Sequence, residues 1–187
     1  MIEQTLVVIK PDGVQRALTG KIISRFEDAG LKVVAMRFVW PTKELAARHY
    51  IADKGWLESV GNKTLASFKE KGIKTNETAM QIGNRVRSYL MDYIASGPVA
   101  AIVIEGNEAI FVVRKILGVT EPRKADPGSI RGMYSADSYG HADKLQRAVK
   151  NLAHASEDKK TADREIAVWF KPEELVKYKR IDEAALY

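Results

Sequence analysis

One histidine lies in a short apolar segment near the end of the chain, among residue types that suit chemistry. Residues 151–170 read NLAHASEDKKTADREIAVWF and place His154 between Ala153 and Ala155. Small neighbours let a bulky phosphate approach an imidazole, and an imidazole that is largely neutral at pH 7 offers its lone pair for attack. The segment is compatible with a nucleophilic histidine, although a lone histidine in a short apolar segment is more commonly structural. The alternative is a structural histidine whose ring N–H is satisfied inside the protein.

A carboxylate follows where it can orient this imidazole. Glu157 and Asp158 begin a predicted helix, and Glu165 lies in the middle of that helix. If the helix folds back beside the strand that carries His154, the Glu165 carboxylate can accept a hydrogen bond from one ring nitrogen. Such a bond fixes the tautomer and leaves the other nitrogen nucleophilic.

Two cations lie at turns elsewhere in the chain. Lys10 ends an apolar strand at Lys-Pro-Asp-Gly, which is a turn signal. A lysine held there is well placed to meet a phosphate, and a solvated strand-end lysine is the alternative. Arg131 lies in a loop-like stretch, residues 119–140, and long loops without structure of their own tend to be functional or mobile.

The composition indicates a single globular domain over residues 1–187. The chain has 187 residues, 45% of them hydrophobic, and no cysteine, which excludes a disulfide framework and a thiolate metal site. The net charge of +6 suits an anionic partner such as a nucleotide, nucleic acid or acidic lipid, although most of the cations are expected to be solubilising surface. No apolar run reaches the ~18 residues of a membrane span, so we expect no membrane contact and a cytoplasmic location.

Apolar periodicity predicts alternating strands and helices. The predicted strands cover residues 3–10, 31–40, 99–104 and 152–156, and Glu105-Gly106 is expected to turn the third. The predicted helices are one capped by Thr19, one capped by Thr42, one over 63–71, one starting at Asn76, one over 108–117, one over 142–150, and the helix after His154. Two βαβ halves of this kind indicate an α/β protein and suggest a ferredoxin-like sandwich.

Six stretches, taken in order, resemble those of the nucleoside diphosphate kinase family. They are TLVVIKPDGVQR (5–16), SGPVAAIVIEG (96–106), LGVTEP (117–122), DPGSIRG (126–132), NLAHASED (151–158) and EIAVWFKPEEL (165–175). The resemblance implies a βαββαβ core with a four-stranded antiparallel sheet. It also implies a ping-pong reaction, in which the γ-phosphate of a nucleoside triphosphate passes to a histidine and then to a nucleoside diphosphate.

The resemblance also implies roles for particular residues. His154 matches the family's nucleophile and Glu165 the carboxylate that orients it, with Ser156 close by. The residues at positions that hold the phosphates, the sugar or the surroundings of the histidine are Lys10, Tyr50, Arg114, Thr120, Arg131 and Asn151. The two arginines can grip phosphate oxygens by two-pronged hydrogen bonding, and Thr120 can donate its hydroxyl. Magnesium is expected to arrive with the nucleotide, bridging its phosphates.

The chain departs from the family pattern at three places. Ala155 replaces the usual glycine after the histidine, and its methyl is expected to narrow the approach to the ring. Insertions are expected near residues 53–85 and 133–147. The aromatic that normally stacks on the base has no clear counterpart, and the candidates are Trp56, Phe68 and Tyr89.

Further expectations concern partners and alternatives. The resemblance implies a homo-oligomer, a tetramer or hexamer built from dimers. The three histidines, His49, His141 and His154, are too scattered in the sequence to predict a protein-held metal. The alternative function is an inactive relative that uses its basic surface and the 53–85 segment as a nucleotide- or nucleic-acid-binding module.

Overall fold

The chain folds around one sheet with helices on both faces. A computed structural model describes residues 1–70 and 72–186. The strands are β1 (Ile2–Ile9), β2 (Lys32–Val39), β3 (Val99–Asn107) and β4 (Ala153–Ala155). The helices are α1 (Pro11–Gln15), α2 (Thr19–Asp28), α3 (Lys43–His49), α4 (Lys54–Glu70), α5 (Ala79–Ile94), α6 (Ala109–Leu117), α7 (Ile130–Tyr134), α8 (Tyr139–Lys144), α9 (Lys159–Trp169) and α10 (Glu183–Leu186). Short 3-10 helices cover Pro122–Lys124 and Pro172–Glu174.

The sheet is antiparallel, with strand order β2-β3-β1-β4. Helix α2 joins β1 to β2 and helix α6 follows β3, so the predicted ferredoxin-like βαββαβ core is confirmed. Ile9 pairs with Ala153, and the backbone N–H of Lys10 donates to the Leu152 carbonyl at 2.8 Å. The end of β1 therefore lies beside the start of β4.

Strand β1 is apolar throughout its second half because both of its faces are covered. Val7 and Ile9 belong to a buried cluster with side chains of α2 and α6. Leu6 and Val8 belong to a second cluster, with side chains of α3, α5 and α9. Directly opposed residues of an antiparallel pair share a face, and His154 pairs with Val8. The imidazole therefore lies on the face that α3 and α9 cover.

The two alanines beside His154 point to the other face of the sheet, because side chains alternate along a strand. Ala153 belongs to the α2 and α6 cluster, and Ala155 packs against it. The expectation that the Ala155 methyl narrows the approach to the ring is therefore wrong.

Several predicted boundaries differ from the structure for local reasons. Helix α2 begins at Thr19, so its N-cap is Leu18 and Thr19 does not cap it. Helix α5 begins three residues after Asn76, where Thr78 and Gln81 form a capping box. Glu105 and Gly106 lie inside β3, because the strand stays paired with β1 as far as Asn107. Thr42 caps α3 as predicted, accepting from the Leu45 N–H at 3.2 Å.

The remaining corrections concern two helices and one loop. Helix α4 is longer than the predicted 63–71 segment, and the end of that prediction, Lys71, lies outside the described residues. The loop-like stretch 119–140 contains α7 and the start of α8, each with a serine N-cap, Ser129 and Ser138. Helix α8 replaces the predicted helix over 142–150. It ends early because Gln146 takes a positive φ of 48°.

The α4 and α5 helices pack unusually closely, through one glycine on each. A Cβ added to Gly61 would lie 1.9 Å from the Ala79 carbonyl oxygen, and one added to Gly83 would lie 2.2 Å from the Leu57 carbonyl oxygen. Close approach of this kind needs residues without a side chain at both contact points. No helix in the described part of the chain is long and apolar enough to span a membrane.

Replacing Gly83 with alanine is expected to lower the free energy of unfolding by roughly 1–3 kcal/mol, because the new methyl forces the helices apart. The matched control is Gly20→Ala in α2, where an added Cβ has nothing within 4 Å. The control should be neutral, or stabilising by up to about 1 kcal/mol. Urea denaturation measures both. Equal stabilities for the two variants would contradict the packing account.

Candidate active site

His154 receives its orientation from the first turns of α9. The Asp158 side chain caps this helix by accepting from the Thr161 N–H at 2.7 Å. The cap directs the helix back along the sheet, so that Glu165 comes to lie beside β4. His154 Nε2 is 2.7 Å from Glu165 Oε2, and the Ser156 hydroxyl donates to the same oxygen at 2.7 Å. These three residues, predicted as a catalytic group, are thus brought together.

The charge of Glu165 decides which nitrogen of His154 is free. Burial raises the pKa of this carboxyl, but His154 foremost, with His49 and Ser156, lowers it more strongly, to about 2. An ionised carboxylate only accepts hydrogen bonds, so the proton between the two groups belongs to Nε2 of the imidazole. Nδ1 of a neutral His154 then carries the lone pair. The ring is partly accessible, with 20% of its side chain exposed.

A second histidine lies directly behind the first. His49, the last residue of α3, is 1% exposed, and its ring meets the His154 ring edge to face, with centroids 4.5 Å apart. The Trp169 indole N–H donates to His49 Nδ1 at 3.2 Å. Sequence reasoning gave neither residue a role in the site. The scatter of the histidines along the chain offered no sign of this pair, which forms because α3 packs on the face of the sheet that carries the His154 ring.

Lys10 lies in the interior at the end of β1, so the alternative of a solvated lysine is wrong. Its ammonium donates to Asn151 Oδ1 at 2.7 Å and lies 5.3 Å from the centre of the Tyr93 ring. The Asn151 amide in turn donates to the Thr120 carbonyl at 2.9 Å. Burial, with a smaller contribution from Arg131 and against the opposing effect of Asp12, lowers the pKa of Lys10 to about 7.

Arg131 holds the loops around the site together. Its guanidinium donates to the carbonyls of Gly118 at 2.7 Å, Ala153 at 2.6 Å and Asn151 at 3.2 Å. Burial lowers its pKa to about 10, which still leaves it cationic at neutral pH. These bonds use three of the five N–H groups of an arginine. The expected two-pronged hydrogen bonding of Arg131 to phosphate would use the other two N–H groups and stays a prediction.

The other predicted site residues surround this centre at different depths. Tyr50 is buried, with its ring centroid 6.2 Å from that of His154. Arg114 and Thr120 are exposed, and Arg114 shares a surface cleft with Glu157 and Asp158. Exposed cations and hydroxyls at the rim are available to a bound molecule, whereas Tyr50 forms part of the wall behind the imidazole.

The candidate aromatics for base stacking differ in accessibility. Phe68 is only 8% exposed, so it is not available to stack on a base. Trp56 and Tyr89 are half-buried and keep part of their surface accessible. The structure thus narrows the choice from three aromatics to two.

Within the described residues, one group of side chains is close enough to hold a metal ion, namely His49, His154 and Glu165. Each of these side chains already has a hydrogen-bond partner. His49 accepts from the Trp169 indole, and His154 and Glu165 bond to one another. A metal would have to displace those bonds, so the arrangement suits proton placement better than metal binding.

An oriented imidazole beside buried cations, on a ferredoxin-like sheet, is the arrangement expected of a phosphotransferase that uses a histidine. The family profile described as nucleoside diphosphate kinase matches residues 3–60 and 79–175. The chain therefore belongs to the nucleoside diphosphate kinase family, which confirms the family and the enzyme class predicted from the sequence. The profile leaves residues 61–78 unmatched, within the segment where one insertion is expected.

Individual relatives agree over almost the whole chain. The nucleoside diphosphate kinase of Pyrobaculum aerophilum is 43% identical, covering 94% of this chain and 98% of its own length. The crystal structure of an NDP kinase from that organism, 41% identical, has a TM-score of 0.92 over 95% of this chain and 100% of its own. A transition-state mimic of the Borrelia burgdorferi enzyme with vanadate and ADP has a TM-score of 0.80 at 36% identity, covering 98% and 96% of the two chains.

Burial of Lys10 predicts a pH-dependent stability. The pKa of Lys10 is about 7 in the folded chain, against an ordinary value near 10.5. Between these values the unfolded chain binds a proton that the folded chain does not, so stability rises with pH. Relative to Lys10→Met, the wild-type protein should gain about 1 kcal/mol of unfolding free energy for each pH unit from 8 to 10. Urea denaturation of both proteins over this range measures the difference in unfolding free energy. If the unfolding free energies of the two proteins changed in parallel with pH, a buried neutral Lys10 would be ruled out.

Proposed function

We propose that the chain transfers the terminal phosphate of a nucleoside triphosphate to a nucleoside diphosphate through a phosphohistidine at His154. The observation that carries this proposal is the 2.7 Å contact between Glu165 Oε2 and His154 Nε2, which leaves Nδ1 as the nucleophile. Family membership supports the reaction type. We also propose the roles that the resemblance implies for the surrounding residues, which are Lys10, Tyr50, Arg114, Thr120, Arg131 and Asn151.

In the first half-reaction, Nδ1 attacks the γ-phosphorus. The N–P bond forms as the bond from phosphorus to the bridging oxygen breaks, and the nucleoside diphosphate leaves with that electron pair. Positive charge then develops on the imidazole, and the Glu165 carboxylate stabilises it through the Nε2–H bond. Ser156, which also donates to Glu165 Oε2, holds the carboxylate in place.

In the second half-reaction, a terminal phosphate oxygen of another nucleoside diphosphate attacks the same phosphorus. The N–P bond breaks and its electron pair returns to Nδ1, which restores the free enzyme. Because donor and acceptor occupy one site in turn, the protein can bind mainly what nucleotides share, their phosphates and sugar. The proposed phosphate ligands are Lys10, Arg114, Thr120 and Arg131.

Positioning and charge neutralisation provide most of the catalysis of phosphoryl transfer. Incoming phosphates favour the protonated form of Lys10, so a lysine that is half neutral when the site is free becomes a full cation when the substrate arrives. The family is consistent with a divalent cation that accompanies the nucleotide. We propose Mg²⁺ carried on the phosphates as part of the substrate.

The alternative of an inactive binding module is not favoured. A module that only bound nucleic acid would need neither a buried carboxylate on a histidine nor a buried lysine beside it, and both carry a desolvation cost. The cytoplasmic location and the arrangement as a single domain with insertions near 53–85 and 133–147 remain predictions from the sequence.

The function is tested by phosphoenzyme formation. Incubation with γ-labelled ATP and magnesium should label His154 with an acid-labile, alkali-stable phosphate that GDP removes as GTP. His154→Ala should abolish labelling, and Glu165→Gln should slow it by roughly 10- to 100-fold, the usual effect of losing an orienting partner. His141→Ala, an exposed histidine, is the matched control and should label normally. Full labelling of His154→Ala would refute the proposal.

We also propose that the chain forms a homo-oligomer built from dimers. Strand β2 lies at one edge of the sheet, and Met36 and Phe38 on it are 53% and 65% exposed. Exposed apolar side chains on an edge strand are a ready surface for a second copy. The tetramer or hexamer implied by the family resemblance would extend such dimers.

Sedimentation tests the oligomer. The wild-type protein should sediment as a multiple of the chain mass, and Phe38→Glu should shift it to smaller species, because a buried charge in the contact is unfavourable. Lys21→Glu, on exposed helix α2 surface, is the control that reverses a charge without touching β2. A wild-type protein that remains a monomer at micromolar concentration would contradict the proposal.

A further inference from the structure

We propose that His49 is a positioning residue for His154, held by the Trp169 indole as a neutral ring so that the Glu165 carboxylate bonds to His154 and not to His49. This inference rests on the proposed function, because it concerns how the phosphate-accepting imidazole is oriented. The structure supports it through three contacts: the ring packing of the two histidines, the bond from Trp169, and the distance from His49 to Glu165.

Hydrogen-bond chemistry assigns the state of His49. An indole N–H only donates, so the nitrogen that faces it, His49 Nδ1, must be an acceptor without a proton. A neutral ring then carries its proton on Nε2, which is buried and has no hydrogen-bond partner within the described residues. A cationic His49 would place two N–H groups against each other in the interior, so the Trp169 bond excludes the charged form as well as the Nδ1–H tautomer.

The state of His49 matters because Glu165 is within its reach. His49 Nδ1 lies 3.9 Å from Glu165 Oε1, while the other carboxylate oxygen accepts from His154 and Ser156. If His49 carried a proton on Nδ1, a small side-chain movement would let it bond to Glu165 and pull the carboxylate away from the nucleophile. The Trp169 donor prevents that competition.

The charged and titratable groups around His49 come from every element packed against it. They are His154 on β4, Glu165 and Arg164 on α9, Lys10 after β1, and the adjacent Tyr50. Burial foremost, followed by His154 and with Arg164 and Lys10 adding to it, lowers the pKa of His49 well below its ordinary range, against the opposing effect of Glu165. This direction agrees with the neutral state that the Trp169 bond requires.

His49 also supports the nucleophile sterically. The two rings are nearly perpendicular, with an interplanar angle of 85°, so the edge of one ring packs on the face of the other. A phenylalanine at position 49 would keep such a ring but could not bond to Glu165. The steric and hydrogen-bonding roles can therefore be separated by mutation.

The first test reads the tautomer directly. In ¹⁵N-histidine-labelled protein, His49 should give the NMR signature of a neutral Nε2–H ring from pH 5.5 to 8. A cation or an Nδ1–H tautomer in that range would overturn the inference. The spectrum needs no substrate and no variant, so its result is independent of whether His154 accepts phosphate.

The second test is the single-turnover rate of His154 phosphorylation. Trp169→Phe keeps an aromatic ring but removes the donor, and it should slow phosphorylation roughly three- to tenfold, the effect of one buried hydrogen bond, with nucleotide affinity unchanged. The matched control is Trp40→Phe, since Trp40 also donates its indole N–H to one acceptor, the Ala95 carbonyl at 2.9 Å, and follows β2 at the opposite edge of the sheet from β4. The control should react at the wild-type rate.

The double variant His49→Phe/Trp169→Phe distinguishes competition from damaged packing. Without a histidine at position 49 nothing there competes for Glu165, so the double variant should regain most of the rate lost in Trp169→Phe. A double variant as slow as the single one, or a single variant as fast as wild type, would disprove the positioning role while leaving the proposed function intact. Wild-type protein that accepts no phosphate would instead refute the proposed function.

Discussion

The site depends on one buried hydrogen bond, between the Glu165 carboxylate and Nε2 of His154. An ionised carboxylate in the interior is costly unless it is fully bonded, and here His154 and Ser156 bond one oxygen while Arg164 donates to the other at 3.1 Å. The bond also has a geometric requirement. It forms only if α9 returns along β4, which the Asp158 cap and the packing of Ile166 and Trp169 on the sheet secure.

Buried cations form the second constraint. Lys10 and Arg131 lie in the interior beside the start of β4, and each bonds to side-chain or backbone oxygens of the segments around it. The positions of these side chains are therefore fixed before any anion arrives, which limits reorganisation during the reaction. The same burial makes Lys10 easily deprotonated, so its charge responds to the presence of phosphate. The positions of the two side chains are thus fixed, whereas the charge of Lys10 can change.

Apolar runs in the sequence predict the strands and an α/β class. The resemblance to the family implies the ferredoxin-like core and the group of His154, Ser156 and Glu165 that the structure brings together. Lys10, Ser156, His154 and Glu165 all sit in short segments whose order alone carries the family resemblance. His49 and Trp169 could not be found in this way. Their role depends on α3 and α9 packing side by side on one face of the sheet, and these residues are 120 positions apart in the chain.

Other errors have the same origin in tertiary structure. Ala155 was expected to crowd the histidine, yet strand alternation sends its methyl to the opposite face. Nothing in the sequence indicated that Arg131 also donates to three backbone carbonyls from separate segments of the chain. Glu105 and Gly106 suggest a turn, yet pairing with β1 extends the strand through them. For Glu105 and Gly106, a partner strand distant in sequence overrode the local turn signal.

The most direct test of the account is the position of the phosphate on the His154 ring. If the Glu165 carboxylate holds the proton on Nε2, only Nδ1 can attack phosphorus. NMR of the phosphorylated, ¹⁵N-histidine-labelled protein at alkaline pH distinguishes the two phosphohistidine isomers through coupling between phosphorus and the ring nitrogens. We expect phosphorus on Nδ1 with the proton retained on Nε2. Phosphorus on Nε2 would mean that the Glu165 bond breaks before reaction, which would contradict the central claim.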